Sequence, residues 1–166
     1  MVPESTVPEK LRYEIDLSDP VSVPSLTAGL RIRTVTPADL VPLARLMLDA
    51  YIGTIDYEDE DLDDAMEEVR SFLDDDVSLL DRSYLAEDDG EIVSAVLVSL
   101  SDGRPFIGYV MTLPSHKKRG LARLLITHLL ERLADDGHET VVFYITEGNT
   151  PSDRLFRSVG AVHVRT

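Results

Sequence analysis

The 166-residue sequence contains no cysteine. Disulfides, thiolate metal sites, iron–sulfur clusters and a cysteine nucleophile are excluded together. No apolar run approaches the roughly 18 residues of a membrane span. Met1-Val2-Pro3-Glu4 offers neither a basic n-region nor an apolar h-region, so a cytoplasmic protein without a secretory signal is expected. Positive charge is scarce. The chain has 31 acidic residues against 16 basic ones, a formal net charge of −15, and lysine occurs only at Lys10, Lys117 and Lys118. Such a field repels nucleic acid and anionic membrane, so neither is an expected partner. His138 and His163 do not stand at metal-ligand spacing with other residues, and no metal site is expected. What remains is an ordinary globular composition, 43% hydrophobic and 28% charged. A chain of this length buries roughly 70% of its unfolded surface without staples and makes one domain, with or without an added arm.

The charge is unevenly placed. Asp56 to Asp76 holds twelve acids against one base, Arg70, so this segment alone carries −11. From Gly103 to Leu130 the opposite holds: Arg104, Lys117, Lys118, Arg119 and Arg123 meet no acid at all. A locally cationic stretch in an anionic protein is suited to a compact anion.

Residues 1–27 contain Pro3, Pro8, Pro20 and Pro24 and read as an irregular arm with one candidate strand, Leu11–Leu17, where apolar and polar residues alternate. A main domain over residues 28–166 follows. Leu30–Val35 alternates again as a half-buried strand. Thr36-Pro37-Ala38-Asp39 combines an N-cap hydroxyl, a proline at the first helical position and an acid three residues after the cap. Leu40, Leu43, Ala44 and Met47 carry that helix to about Ala50. Leu62, Ala65, Met66, Val69, Phe72 and Leu73 form the apolar stripe of a second helix whose other face is acidic. Asp88-Asp89-Gly90 and Asp102-Gly103 are turn signals that fold Tyr84–Glu87, Ile92–Val98 and Phe106–Leu113 into an antiparallel meander. Leu121, Leu124, Leu125, Leu129 and Leu133 mark a third helix. Val141–Ile145 is a continuous apolar run, as a buried parallel strand requires. Thr150-Pro151-Ser152-Asp153 repeats the cap-plus-proline pattern and opens a fourth helix, and Ala161–Val164 is a last short strand. The class is α/β (α+β), a mixed sheet with helices on both faces and a strand–helix–strand crossover from Phe106 to Ile145.

Chemistry concentrates between the meander and the third helix, in Thr112-Leu-Pro-Ser-His-Lys-Lys-Arg-Gly-Leu-Ala-Arg123. The first helical amides have no intrahelical acceptor, and the helix dipole adds partial positive charge there. Gly120 and Ala122 keep side chains out of the way, while Lys117, Lys118, Arg119 and Arg123 supply countercharge. The segment is neither a P-loop nor a dinucleotide fingerprint. Its physics points to a phosphate-bearing ligand, a pyrophosphate above all.

Lys117-Lys118-Arg119-Gly120-Leu121-Ala122 resembles the Q/R-x-x-G-x-G/A signature of the GNAT superfamily of N-acetyltransferases, with lysine in the first slot as a departure. Val110-Met111-Thr112-Leu113-Pro114 is similar to the family's preceding strand, which usually ends in a proline. Asn149 through Leu155-Phe156 to Gly160-Ala161 resembles the family's N-x(5)-L-Y-x(3)-G-F ending. The resemblance implies a GNAT-like mixed central sheet with a splayed pair of parallel strands. It implies acetyl-CoA or another acyl-CoA as co-substrate, with the pyrophosphate on the amides of Lys118 to Arg123. The pantetheine arm is expected along main-chain groups of Val110, Met111 and Thr112, and against Asn149.

The reaction so implied is N-acyl transfer to a primary amine by direct attack in a ternary complex, without an acyl-enzyme. A strand amide near Val110–Thr112 polarises the carbonyl. The family's general acid is often the tyrosine whose place Phe156 takes here, and phenylalanine has no proton to give. Tyr109, Tyr144, Ser152 and His116 are the substitutes open to the chain, and His128 reads as a core or boundary histidine. The family's acceptor site lies by the first two helices, which in this chain is the acidic stretch from Ala50 to Asp76. A cationic small-molecule or peptide amine is therefore expected, with Tyr51 and Tyr57 lining its pocket. Only six residues follow Gly160, whereas the family commonly has two final strands. The arm strand is available to take the missing place, within the subunit or across a homodimer. A different reading also stands: a catalytically weak CoA-binding or protein-interaction module that docks a partner on the acidic helix.

Overall fold

A computed structural model describes residues 8–18, 22–25 and 29–165. The boundary drawn after residue 27 lies outside them. One seven-stranded sheet runs through the molecule. Its strands are β1 (Lys10–Asp16), β2 (Leu30–Thr34), β3 (Tyr84–Asp88), β4 (Glu91–Ser101), β5 (Arg104–Thr112), β6 (Thr140–Thr146) and β7 (Val162–His163). They lie side by side as β2-β3-β4-β5-β6-β1-β7. The helices are α1 (Leu40–Tyr51), α2 (Leu62–Asp74), α3 (Leu121–Asp135) and α4 (Thr150–Arg157). Among the described residues no helix is long and apolar enough to cross a membrane.

Strand alternation divides the core in two. Leu85, Ala95, Leu97 and Met111 face α1 and α2, where they meet Leu43, Met47, Ala65 and Val69. Tyr84, Ala86, Val96 and Val98 face the other way, toward the leucines of α3 and Phe156 of α4. Each leucine, valine, methionine or phenylalanine among them, once fully buried, contributes about 1.5–3 kcal/mol. Layers on both faces of a mixed sheet are the expected architecture. His128 sits at the edge of α3 with its ring edge-on to Tyr84, centroids 4.6 Å apart. Partial burial lowers its pKa, as suits a boundary residue.

The arm strand is found inside the sheet. β1 pairs antiparallel with β6 from Lys10↔Thr146 to Asp16↔Thr140, and with β7 at Tyr13↔His163 and Glu14↔Val162. Tyr13, Ile15 and Leu17 are buried against α3 and α4. Of the two places open to this strand, the described chain uses the one within the subunit.

Two features of β5 prepare the functional region. A register shift opposite Leu97/Val98 leaves Gly108 as an extra residue, since Leu97 pairs with Tyr109 and Val98 with Ile107. Such a bulge bends the strand that carries it. The parallel neighbour β6 is paired only before the bulge, at Phe106↔Val142. Past the bulge β5 follows β4 and leaves β6, which is the splay that the resemblance implied.

Candidate functional site

Pro114 ends β5 and starts a short 3-10 turn, Pro114–His116. His116 then anchors the loop. Its Nδ1 lies 2.8 Å from Ser115 Oγ and its Nε2 lies 2.9 Å from Asp88 Oδ2 on the β3–β4 hairpin. Engaged at both nitrogens, His116 serves as a tie between two loops. After it the backbone enters left-handed conformations at Lys118 (φ 65°) and Gly120 (φ 76°). Glycine adopts that region freely, and a Cβ at Gly120 would meet no atom within 4 Å.

The amides that follow are free. Leu124 N–H donates to Gly120 O at 2.9 Å and closes the first turn of α3. From Lys118 through Arg123 no amide meets a protein acceptor among the described residues. Lys117, Lys118, Arg119 and Arg123 are exposed, and none of them joins an ion pair among the described residues. Leu121 is buried and pins the helix start to the core, and Ala122 is half-buried. A run of outward amides at a helix N-terminus, ringed by cations, is an anion cradle.

The strand before the cradle has a parity. Leu113 N–H donates to Val93 O at 2.9 Å, and Met111 O accepts the Ser94 hydroxyl at 3.0 Å. Antiparallel bonding alternates with period two, so Met111 turns its main-chain groups to β4. Val110 and Thr112 turn theirs toward the gap left by β6. This narrows the expected set of Val110, Met111 and Thr112 to two residues with free edges.

Asn149 follows β6 across that gap. Its Oδ1 accepts from Ser152 N–H at 3.3 Å, and this makes Asn149 the N-cap of α4. The cap-plus-proline pattern had pointed to Thr150. The correction is physical: an amide oxygen one residue earlier reaches the N3 amide, and Thr150 is the first residue inside the helix. The Asn149 Nδ2 donates to Asp56 Oδ2 at 3.3 Å, and Asp56 Oδ1 accepts the Thr146 hydroxyl at 2.6 Å. Asp56 thus ties the α1–α2 loop to the end of β6.

The proton-bearing candidates scatter. Phe156 is buried, its ring stacked on Phe143 with centroids 4.0 Å apart, and no proton donor stands in its place. Tyr144 points outward beside Phe106 at the closed end of the strand pair, where it lines a cavity of about 390 Å³ with Arg12 and Arg104. Ser152 offers its amide to Asn149. Tyr57 donates to Glu60 O at 3.2 Å within its own loop. Tyr109 and Tyr51 are different. Both pack between α1, α2 and β5, and the Tyr109 hydroxyl donates to Glu68 of α2. Burial pushes both phenols well above the usual tyrosine range, with the Glu68 carboxylate as a further cause for each.

Glu68 was grouped with the solvated acids of α2. The signal that could have singled it out is its spacing: it stands three residues after Ala65 and four before Phe72, at the margin of the apolar stripe.

Comparison with known proteins agrees with this architecture. The family model described as acetyltransferase (GNAT) family matches residues 44–161. A GCN5-related N-acetyltransferase from Sphaerobacter thermophilus aligns over 95% of this chain and 50% of its own, with a TM-score of 0.74 and 21% identity. The chain thus spans half the length of that protein. The ribosomal-protein-S18-alanine N-acetyltransferase from Escherichia coli aligns over 79% of this chain and 76% of its own, with a TM-score of 0.65 and 16% identity. An aminoglycoside N-acetyltransferase in complex with CoA aligns over 82% and 91%, with a TM-score of 0.64 and 20% identity.

Proposed function

The chain belongs to the acetyltransferase (GNAT) family, and from that premise we propose that it moves an acetyl or other acyl group from acyl-CoA to the nitrogen of a primary amine. One observation carries the reading. Among the described residues, the amides from Lys118 through Arg123 have no partner and adjoin a strand edge at Val110 and Thr112 that no neighbouring strand pairs. Those are the two things a diphosphate joined to a pantetheine arm needs. When bound, the acyl-CoA supplies an activated carbonyl whose leaving group is a thiolate.

The residues then divide the work. Lys117, Lys118, Arg119 and Arg123 neutralise the diphosphate, and Gly120, Leu121 and Ala122 present amides without bulk. Val110 and Thr112 bond the arm as a strand is bonded, and Asn149 faces it from the other side of the gap. An amide of that edge polarises the acyl oxygen as a one-donor oxyanion hole. The amine attacks directly in a ternary complex, and a chain without cysteine fits a route with no acyl-enzyme. The acceptor is cationic, such as a polyamine, an amino sugar or a lysine-bearing peptide, drawn by the −11 charge between Asp56 and Asp76. Residues 28–166 form the catalytic unit and the arm completes its sheet. The test is release of free CoA from acetyl-CoA in the presence of such amines. Continuous release with at least one amine is expected.

The burial of Phe156 against Phe143 favours a second reading, a CoA-binding or protein-interaction module with weak catalysis. In that case acetyl-CoA binds with normal affinity and no amine in the panel accelerates CoA release.

A further inference from the structure

This inference rests on the acyl-transfer reading and concerns the loop that joins α1 to α2. α1 packs on β4 and β5 and ends at Tyr51, and α2 starts after its cap, Asp61. Between them the chain leaves both helices and reaches the turn from β6 into α4. That turn stands on the far side of the gap that opens past the β5 bulge. The loop touches it twice. Asp56 Oδ1 accepts the Thr146 hydroxyl at 2.6 Å, and Asp56 Oδ2 accepts from Asn149 Nδ2 at 3.3 Å. One residue earlier, Ile55 covers Gly148, its Cδ1 3.6 Å from where a Cβ would stand. The loop is therefore a strap that joins the two sides of the gap.

Loops often pack on turns. Two features give this contact a consequence for the arm of an acyl-CoA. Both Asp56 oxygens are spent on groups of the β6–α4 turn, and the side chain joins no ion pair among the described residues. What it holds, it holds through Thr146 and Asn149. The second feature is what Asn149 has left to give. A carboxylate only accepts, so the Asn149 amide must turn its nitrogen to Asp56 and its oxygen to the Ser152 N–H. The opposite flip would set oxygen against oxygen at Asp56 and leave the α4 cap unmade. A side-chain amide nitrogen carries two hydrogens, and the second has no acceptor among the described residues.

We propose that Asp56 is a positioning residue for Asn149: it fixes the amide so that a donor, rather than an acceptor, meets the carbonyls of the acyl-CoA arm, and it thereby couples acyl-CoA binding to closure of the α1–α2 loop. Binding free energies coupled in this way are reciprocal. An arm that engages Asn149 steadies the loop, and a loop latched by Asp56 raises affinity for the arm by the same factor. The strap lies on the side where the proposed acceptor is held, so a bound acyl-CoA and a finished acceptor side go together.

The test uses the full-length protein and calorimetry with acetyl-CoA, and with ADP as a diphosphate that has no arm. D56A is expected to bind acetyl-CoA about fivefold to tenfold more weakly, which is what one well-placed hydrogen bond to the arm is worth, and to bind ADP as wild type does. D56N is expected to recover most of that affinity, because its oxygen still accepts from Asn149 and its amide donates to the Thr146 oxygen. The effect of D56A is expected to vanish in an N149A background, where nothing is left to position. Hydrogen exchange of wild type adds a readout that needs no variant: acetyl-CoA slows the amides of residues 52–57, and ADP does not. In D56A that slowing is lost. Wild-type acetyl-CoA affinity in D56A, equal weakening for ADP, or additive losses in the double variant overturn the positioning role while acyl transfer stands. Loop exchange that acetyl-CoA leaves unchanged, or that ADP slows equally, overturns the coupling. A wild-type protein that binds no acetyl-CoA overturns the acyl-transfer reading and this inference with it.

Discussion

The turn between β5 and α3 and the segment from Asp56 to Asp76 bear opposite charges, and they present them by different means. In the turn the cations are exposed and join no ion pair among the described residues, and the directional groups are main-chain amides whose positions α3 and the left-handed Lys118 and Gly120 fix. In the acidic segment the main chain is used up by α2, and only side chains can act. Most of them point to water: Asp63, Asp64 and Glu67 are exposed. Asp56 differs because it is half-buried and gripped by Thr146 and Asn149, while Glu68 is exposed like the others and differs only in accepting the Tyr109 hydroxyl. Backbone geometry makes a cradle of a cationic stretch as a whole. An anionic stretch gains directional groups only at the residues that tertiary contacts hold, as Thr146 and Asn149 hold Asp56.

Both regions hang on one sheet, and the most severe way to break the comparison is to remove its inserted strand. A chain beginning at Ser18 loses the buried Tyr13, Ile15 and Leu17, each contributing about 1.5–3 kcal/mol, and strands β6 and β7 lose the neighbour between them. It is expected not to fold cooperatively. A sharp thermal transition in circular dichroism for that truncation refutes the integral role of β1.

Next in size is the cradle. Gly120→Glu sets bulk and negative charge among the free amides and forces a side chain into a left-handed position, a cost of about 1–2 kcal/mol by itself. Acetyl-CoA binding by calorimetry is expected to disappear. Retention within tenfold of wild type relocates the diphosphate to another part of the surface.

Asp56→Ala sharpens the acidic side of the comparison. It removes the acceptor for the Thr146 hydroxyl and the Asn149 amide, and hydrogen bonds to a charged group contribute about 1.5–3 kcal/mol each when well formed. The 3.3 Å bond to Asn149 is the weaker of the two, so the loss of stability in urea is expected near the bottom of that range. A variant as stable as wild type means the loop is not tied to β6 in solution. Its counterpart, Glu67→Gln on the exposed face of α2, is expected within about 0.5 kcal/mol of wild type in the same experiment. A larger effect there implies that the outer acids of α2 are not merely solvated.

The smallest effect is the response to salt. Raising ionic strength shortens the Debye length from about 10 Å at 0.1 M to about 3 Å at 1 M. KM for a cationic acceptor is expected to rise several-fold. An acceptor KM indifferent to salt removes the acidic segment from recognition.

Much of this was legible in the residues. The helices announce themselves by apolar spacing, as in Leu121, Leu125 and Leu129, and the two hairpins by Asp89-Gly90 and Asp102-Gly103, all four at positive φ. The cradle was legible too, since a basic turn with one glycine before a helix has a local electrostatic meaning. Less visible were the parity that separates Met111 from Val110 and Thr112, the cap at Asn149 in place of Thr150, and the engagement of His116 with Asp88. The parity and the His116 contact depend on partners distant along the chain, Ser94 for Met111 being seventeen residues away, while the Asn149 cap is a local choice between two adjacent residues that both can cap.

The sequence by itself determined the inventory: which segments are helix or strand, that the turn after β5 attracts an anion, and that the segment after α1 repels one. Those properties are local, set by spacing, turn residues and charge within a few positions. Tertiary structure alone decided that the arm strand enters between β6 and β7, that β5 leaves β6 beyond its bulge, and that Glu68 meets Tyr109. Such outcomes come from pairing and packing between residues far apart in the chain, where the free energy belongs to the contact and to neither partner alone.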